Sequence, residues 1–331
     1  MEVTLKEVWE AQQNLKGVTR RTPLFYTDTF SEACGCRLYL KCENKQKTGS
    51  FKLRGAYNKV VSLTQEEKER GVIASSAGNH AQGVAYAATA FGVKATIVMP
   101  HTAPAAKVAA TKGYGAEVVQ AGQVYDECYA KALEVQKETG ATFLHPFDDV
   151  HVMAGQGTIG LEILDDLSET DVVVVPVGGG GLIAGVSTAV KSLKPSVRVI
   201  GVQAEVVASS KASLEKGEVV TLPGAKSLAD GIAVATPGTL CFKAMQRYVD
   251  EIVTVTEDEI SYAIFSLMQR GKLLAEGAGA VPLAALLAGK VKDIKGKNVV
   301  AMVSGGNIDI TAVGKIIEKE VAAATGEELC S

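Results

Sequence analysis

Val172-Val173-Val174-Val175-Pro176-Val177-Gly178-Gly179-Gly180-Gly181-Leu182-Ile183-Ala184-Gly185 decides how this chain is read. The opening run is continuous and β-branched. Such a run suits a strand buried on both faces of a parallel sheet. A helical pattern follows over Ile183–Leu193. Four consecutive glycines are costly in conformational entropy. They make sense where backbone closes around an oxyanion with a helix N-terminus behind it, and phosphate is the natural ligand. The plainer alternative is a flexible turn.

The same strand–helix alternation recurs in both directions. Strands are expected at Arg37–Cys42, Val72–Ser75, Ala95–Met99, Glu117–Val119, Thr142–Leu144, Val172–Val177, Val197–Gln203, Ile252–Val255 and Asn298–Val303. Helices are expected at Leu5–Leu15, Phe51–Leu63, Ala81–Thr89, Ala105–Lys112, Val124–Thr139, Gly157–Leu167, Ile183–Leu193, Glu257–Arg270, Ala280–Leu287 and Ile310–Glu318. This pattern means an α/β fold with two open parallel sheets. At 331 residues the chain exceeds what one core usually supports. The expected division is a large domain of residues 1–48 plus 149–331 and a small domain of residues 49–148. The chain stops in a polar Ala-Thr-Gly-Glu-Glu tail, so no appended C-terminal regulatory domain is expected.

Hydrophobic residues make up 47% and charged residues 21%, with a net charge of -3. No basic run stands out, so nucleic acid and anionic membranes are not expected partners. The N-terminus lacks an apolar core of signal-peptide length, and no apolar stretch approaches a membrane span. A cytoplasmic location is expected. The six cysteines, Cys34, Cys36, Cys42, Cys128, Cys241 and Cys330, are scattered and read as free thiols. Cys34-Gly35-Cys36 has no matching second pair, and His80, His101, His145 and His151 form no ligand spacing, so no metal is expected.

Three further loops carry candidate chemistry. Thr48-Gly49-Ser50-Phe51-Lys52-Leu53-Arg54-Gly55-Ala56 places a lysine between an aromatic and an apolar residue. Partial desolvation there lowers the amine's pKa, and a neutral amine can attack a carbonyl. An exposed lysine at a helix start is the bland alternative. Ser75-Ser76-Ala77-Gly78-Asn79-His80 puts small residues at a strand-to-helix turn, where backbone N–H groups favour a carboxylate. Its alternative is a turn with Asn79 as N-cap. Ser304-Gly305-Gly306-Asn307 sets a hydroxyl at the carboxyl end of a strand, where open α/β sheets bind ligands. Glu276 adds a carboxylate within a small-residue run. Gly179-x-Gly181-x-x-Ala184, with Glu205 after the next strand, also matches a dinucleotide fingerprint. That fingerprint leaves the other loops unexplained.

Together these stretches, with Ala154-Gly155-Gln156-Gly157-Thr158, resemble the fold-type II pyridoxal-phosphate enzymes of tryptophan synthase β-like fold. Within them the chain is most similar to the threonine dehydratase and serine racemase family, and to its short catabolic members. The resemblance implies pyridoxal 5'-phosphate held by Lys52 as a Schiff base, with Phe51 beside the ring. It implies Asn79 on the ring hydroxyl, Gly178, Gly179, Gly180 and Gly181 around the phosphate, and Ser304 facing the pyridine nitrogen. Glu276 joins the cofactor-binding set. Ser76, Ala77, Gly78, Asn79 and His80 would hold the substrate carboxylate. Lys52 would take the Cα proton of L-threonine, giving 2-oxobutanoate and ammonia, with L-serine going to pyruvate. A homodimer or homotetramer is implied as well.

Departures choose within that family. Racemases of this type carry a serine where Ala77 stands, and a methyl group cannot transfer a proton. Elimination is therefore expected over racemisation. Their divalent-cation carboxylates correspond to Gln203 and Ser209 here, neither a strong hard-cation ligand, with Glu205 nearby. Alternative readings are a serine racemase, a 3-hydroxyaspartate dehydratase, an NAD-dependent dehydrogenase and a non-catalytic nucleotide-binding module.

Overall fold

The computed structural model of the chain describes residues 2–325. Cys330 and the end of the polar tail lie outside them. Ten strands among these residues form two sheets. They are β1 (Leu24–Tyr26), β2 (Arg37–Cys42), β3 (Val72–Ser75), β4 (Ala95–Met99), β5 (Glu117–Gln120), β6 (Thr142–Phe143), β7 (Val172–Pro176), β8 (Arg198–Ala204), β9 (Glu251–Val255) and β10 (Asn298–Val303).

The six-stranded sheet runs β1-β2-β10-β7-β8-β9, and the four-stranded sheet runs β5-β4-β3-β6. Every pairing is parallel except β1 against β2. Burial follows position: β7 and β10, central in their sheet, are buried at every residue, whereas edge strand β5 is not. The valine run thus forms a strand covered on both faces.

Strand order places the ligand crevices. After β7, β8 and β9 step outward, the chain returns to lay β10 on the other side of β7. After β3, β4 and β5 step outward, it returns with β6 on the other side of β3. Each sheet so has a point where strand order reverses, and such points open a crevice at the strands' carboxyl ends. Gly178–Gly181 and Ser304–Asn307 leave one crevice, and Ser76–His80 and His145–Phe147 leave the other.

Three helices knit the molecule across these crevices. Lys52–Val61 packs on Val150–Asp166, which packs on Gly181–Leu193. The contacts are backbone-close. A Cβ on Gly155 would sit 2.6 Å from the Arg54 carbonyl oxygen, and one on Gly157 2.9 Å from that of Gly185. This accounts for the small residues of Ala154–Thr158. The helix there starts at Val150 rather than Gly157, because the Asp149 carboxylate accepts from the N–H groups of His151 and Val152 at 2.8 and 3.1 Å.

Several elements have no counterpart in the sequence reading: β1 and the helices Asp28–Cys34, Gln65–Arg70, Ser209–Lys216 and Thr239–Tyr248. The last is capped from a distance. Asp148 accepts from Thr239, Leu240 and Cys241 N–H at 3.1, 2.9 and 3.1 Å, a start signal that local sequence does not carry.

Under the Lys52 helix lies a buried ion cluster. Arg54, 1% exposed, pairs with Glu43 at 2.8 Å and Glu162 at 2.7 Å, and fully buried Lys41 meets Glu162 at 2.6 Å. It joins β2 and its following turn to two helices and so fixes where the Lys52 helix begins.

Candidate active site

Lys52 opens helix Lys52–Val61. The residues before it are stitched to the loop after β10. Phe51 N–H donates to the Ser304 carbonyl at 3.1 Å, Gly306 N–H donates to the Gly49 carbonyl at 2.9 Å, and Ser50 forms a bridge with Gly305. Gly49 sits at φ 73°, a left-handed conformation that suits glycine. The Lys52 amine donates to the Pro146 carbonyl at 2.8 Å and lies 5.3 Å from the centre of the Phe51 ring. Burial pushes it down to about 8, only partly offset by Cys241 and Glu276 nearby. This lysine is no solvated helix-start charge.

Glu276 is the N-cap residue of helix Gly277–Leu287, yet its side chain does not cap that helix. Instead Asn79 Nδ2 donates to Glu276 Oε1 at 2.6 Å. Burial, with Asp230 nearby, pushes the Glu276 carboxyl up to about 7. Asn307 Nδ2 donates to Asn79 Oδ1 at 2.7 Å and to the Thr48 carbonyl at 2.8 Å. Four stretches of the chain, at Thr48, Asn79, Glu276 and Asn307, so meet in one network. Asn79 is the first residue of its helix, after N-cap Gly78.

The glycine loop lies against the segment that holds Lys52. A Cβ on Gly181 would meet the Phe147 backbone at 2.8 Å, and one on Gly180 would meet Cys241 Cβ at 2.8 Å. Gly180 has φ 100°. The N–H groups of helix Gly181–Leu193 begin at this loop. Cys241 Sγ donates to the Phe147 carbonyl at 3.3 Å. Ser304 is buried, its hydroxyl 3.4 Å from the Ala278 carbonyl oxygen.

At the Ser76–His80 turn, Gly78 N–H donates to Ser76 Oγ at 3.2 Å. Ala77 and Gly78 are half-buried. His80 turns inward, with Nε2 bonded to the Leu144 carbonyl at 2.8 Å. A carbonyl only accepts, so Nε2 carries the proton. Burial pushes the imidazole down to about 3. His80 is therefore neutral, and what it can offer a carboxylate is its backbone N–H.

Sequence reasoning gave no role to Pro146, Phe147, Asp148, Cys241 or Asn307, nor to the ion pair between Lys107 and Asp230 at 3.4 Å. That pair borders a cavity of about 200 Å³ that Glu276 and Asn307 also line. His145-Pro146 follows a strand end, the one local signal that could have marked the segment. Gln203 and Ser209 are buried: Gln203 Oε1 accepts from Lys211 N–H at 2.8 Å while its Nε2 has no protein partner, and Ser209 donates to the Val234 carbonyl at 2.6 Å. Among the described residues no group of three or more His, Cys, Asp or Glu is placed to hold a metal ion. Cys34, Cys36, Cys42, Cys128 and Cys241 are free thiols. No helix among the described residues is long and apolar enough to cross a membrane.

Comparison with known proteins shows the family. A family model described as "Pyridoxal-phosphate dependent enzyme" matches residues 15–305. L-threonine ammonia-lyase of Thermotoga maritima is 56% identical over 96% of this chain and 79% of its own length. The processed form of threonine deaminase isoform 2 from Solanum lycopersicum superposes with a TM-score of 0.88 at 40% identity, covering 95% of this chain and 93% of that one. Maize serine racemase superposes with a TM-score of 0.91 at 33% identity, covering 98% of this chain and 100% of the other.

Proposed function

Because the chain belongs to the pyridoxal-phosphate dependent enzyme family, we propose that it is an ammonia-lyase converting L-threonine to 2-oxobutanoate and ammonia. L-serine, giving pyruvate, is its second substrate. The observation that carries this reading is the partly buried Lys52 amine, bonded to the Pro146 carbonyl, without a carboxylate in contact, and pushed down to about 8.

The residues present fit the cofactor. Gly178–Gly181 leave no room for side chains, and a helix N-terminus stands behind them, as a phosphate cradle requires. The Thr48 and Ser50 hydroxyls, beside the loop after β10, and the Ser75 hydroxyl, at the end of β3, are buried with no protein partner. In this reading Lys52 would bond the cofactor, with Phe51 beside it; Gly178, Gly179, Gly180 and Gly181 would hold the phosphate, Asn79, backed by Glu276, would bond the ring hydroxyl, and Ser304 would serve the ring nitrogen. When bound, the cofactor supplies an aldehyde that captures amines and a ring that accepts charge from Cα.

Ser76, Ala77, Gly78, Asn79 and His80 hold the substrate carboxylate, mostly through backbone N–H groups. Lys52, freed as a neutral amine, takes the Cα proton as general base. Neutral His80 adds no competing charge. With Ala77 on the opposite face there is no second proton carrier, which favours elimination of the β-hydroxyl over racemisation. The reading extends to a large domain of residues 1–48 plus 149–331, a small domain of residues 49–148, a cytoplasmic homodimer or homotetramer, and no tightly held metal.

The test is direct. The purified protein is expected to be yellow, and borohydride should bleach it by fixing the cofactor on Lys52. Lys52→Ala should abolish 2-oxo acid release from L-threonine and L-serine. Normal turnover by that variant without added amines would overturn the mechanism. Substantial D-serine from the native enzyme would overturn the preference for elimination.

A further inference from the structure

The geometry points to Asn307 as a positioning residue that sets which end of the Asn79 amide faces the ligand. This rests on the reading that Asn79 faces the cofactor ring.

An amide's nitrogen and oxygen are told apart only by their partners. The chain of partners here starts at an atom that cannot turn around. The Thr48 backbone carbonyl only accepts, and Asn307 Nδ2 lies 2.8 Å from it. The Asn307 nitrogen must therefore point that way. Its second hydrogen reaches Asn79 Oδ1 at 2.7 Å. Both hydrogens of the Asn307 amide are thereby used, and a flip would set its oxygen against two oxygens. Asn79 must then present oxygen to Asn307 and nitrogen to Glu276, where the separation is 2.6 Å. One hydrogen on Asn79 Nδ2 remains, available to an oxygen acceptor on a bound ligand. Asn307 also donates its backbone N–H to the Glu276 carboxyl, and its amide lies against Gly49, where any Cβ would collide with it. The Asn307 side chain so orients the Asn79 amide, using the fixed Thr48 carbonyl as reference, while its backbone N–H serves Glu276.

The test is a double-mutant cycle read by titrating apo-protein with pyridoxal 5'-phosphate and following visible absorbance. Asn307→Ala should weaken binding by about tenfold, the scale of a hydrogen bond to a charged acceptor. In an Asn79→Ala background the same change should cost no more than about twofold, because the group it orients is gone. The absorption maximum should shift in Asn307→Ala and not shift further in the double variant. Equal losses in both backgrounds would assign Asn307 a merely structural role and overturn the proposal, as would no loss in the native background. If Asn307→Ala does not fold, Asn307→Ser, which keeps one donor, completes the same cycle with the same criteria. Failure of the native protein to bind the cofactor would overturn the site reading itself; binding with an additive cycle would overturn this inference alone.

Discussion

The Lys52 amine ties pH to cofactor loading. Its pKa lies below the ordinary lysine value because burial disfavours the charge. Only the neutral amine attacks an aldehyde, so capture of pyridoxal 5'-phosphate by apo-protein should accelerate as pH rises through about 8 and then level off. Stopped-flow absorbance across that range checks it; acceleration centred near the ordinary value of 10.5 would mean the amine is not enclosed. Ala77→Ser is a second residue-scale prediction. It places a hydroxyl where the resemblance to racemases implies a second proton carrier, and chiral chromatography should then detect D-serine formed from L-serine. The glycine loop and Ser304 stood out in the sequence because each follows a strand end among small residues, and Lys52 because an aromatic and an apolar residue flank it. The Asn79–Glu276 bond was not, since its partners stand 197 residues apart and nothing local pairs them. The inward turn of His80 was equally hidden, because its partner is the Leu144 carbonyl of another strand end.

At the scale of elements, the start of the Lys52 helix depends on the buried cluster of Arg54, Glu43, Glu162 and Lys41. Removing Arg54 leaves carboxylates buried without their partner. Arg54→Ala should cost about 3–5 kcal/mol, read as a lower denaturant midpoint of apo-protein. Gly185→Ala tests the close helix crossing: its Cβ would run into the Met153 carbonyl, forcing helix Val150–Asp166 away and lowering the melting temperature. Strands β2 to β10 were legible to within a residue or two because buried parallel strands are continuous apolar runs, whereas the three-residue antiparallel β1 was not. Helix Thr239–Tyr248 was not, because its start is set by Asp148 rather than by its own N-cap. The early start of helix Val150–Asp166 was missed for another reason, its glycines, which read as breakers alone and serve here as contact surfaces.

For the whole molecule, Glu276 gives a stability slope that can be isolated. Its folded pKa is raised above the ordinary 4.5, so its contribution is fully present below that value and is lost as pH rises through about 7. Apo-protein carrying Glu276→Gln should lack this loss, and the stability difference between variant and native protein should grow from pH 4.5 to 7. Light scattering on the native protein is expected to give a dimer or tetramer mass. Exposed Ile310, Ile317 and Val321 recur at helical spacing along Ile310–Thr325 and give an apolar face. The stitching of Gly49–Phe51 to Ser304–Gly306 has a mechanical consequence. Lys52 follows these residues in sequence toward the four-stranded sheet, yet its anchor is the end of β10 in the six-stranded one. The nucleophile is thus mounted on the six-stranded sheet, as an anvil is on its block.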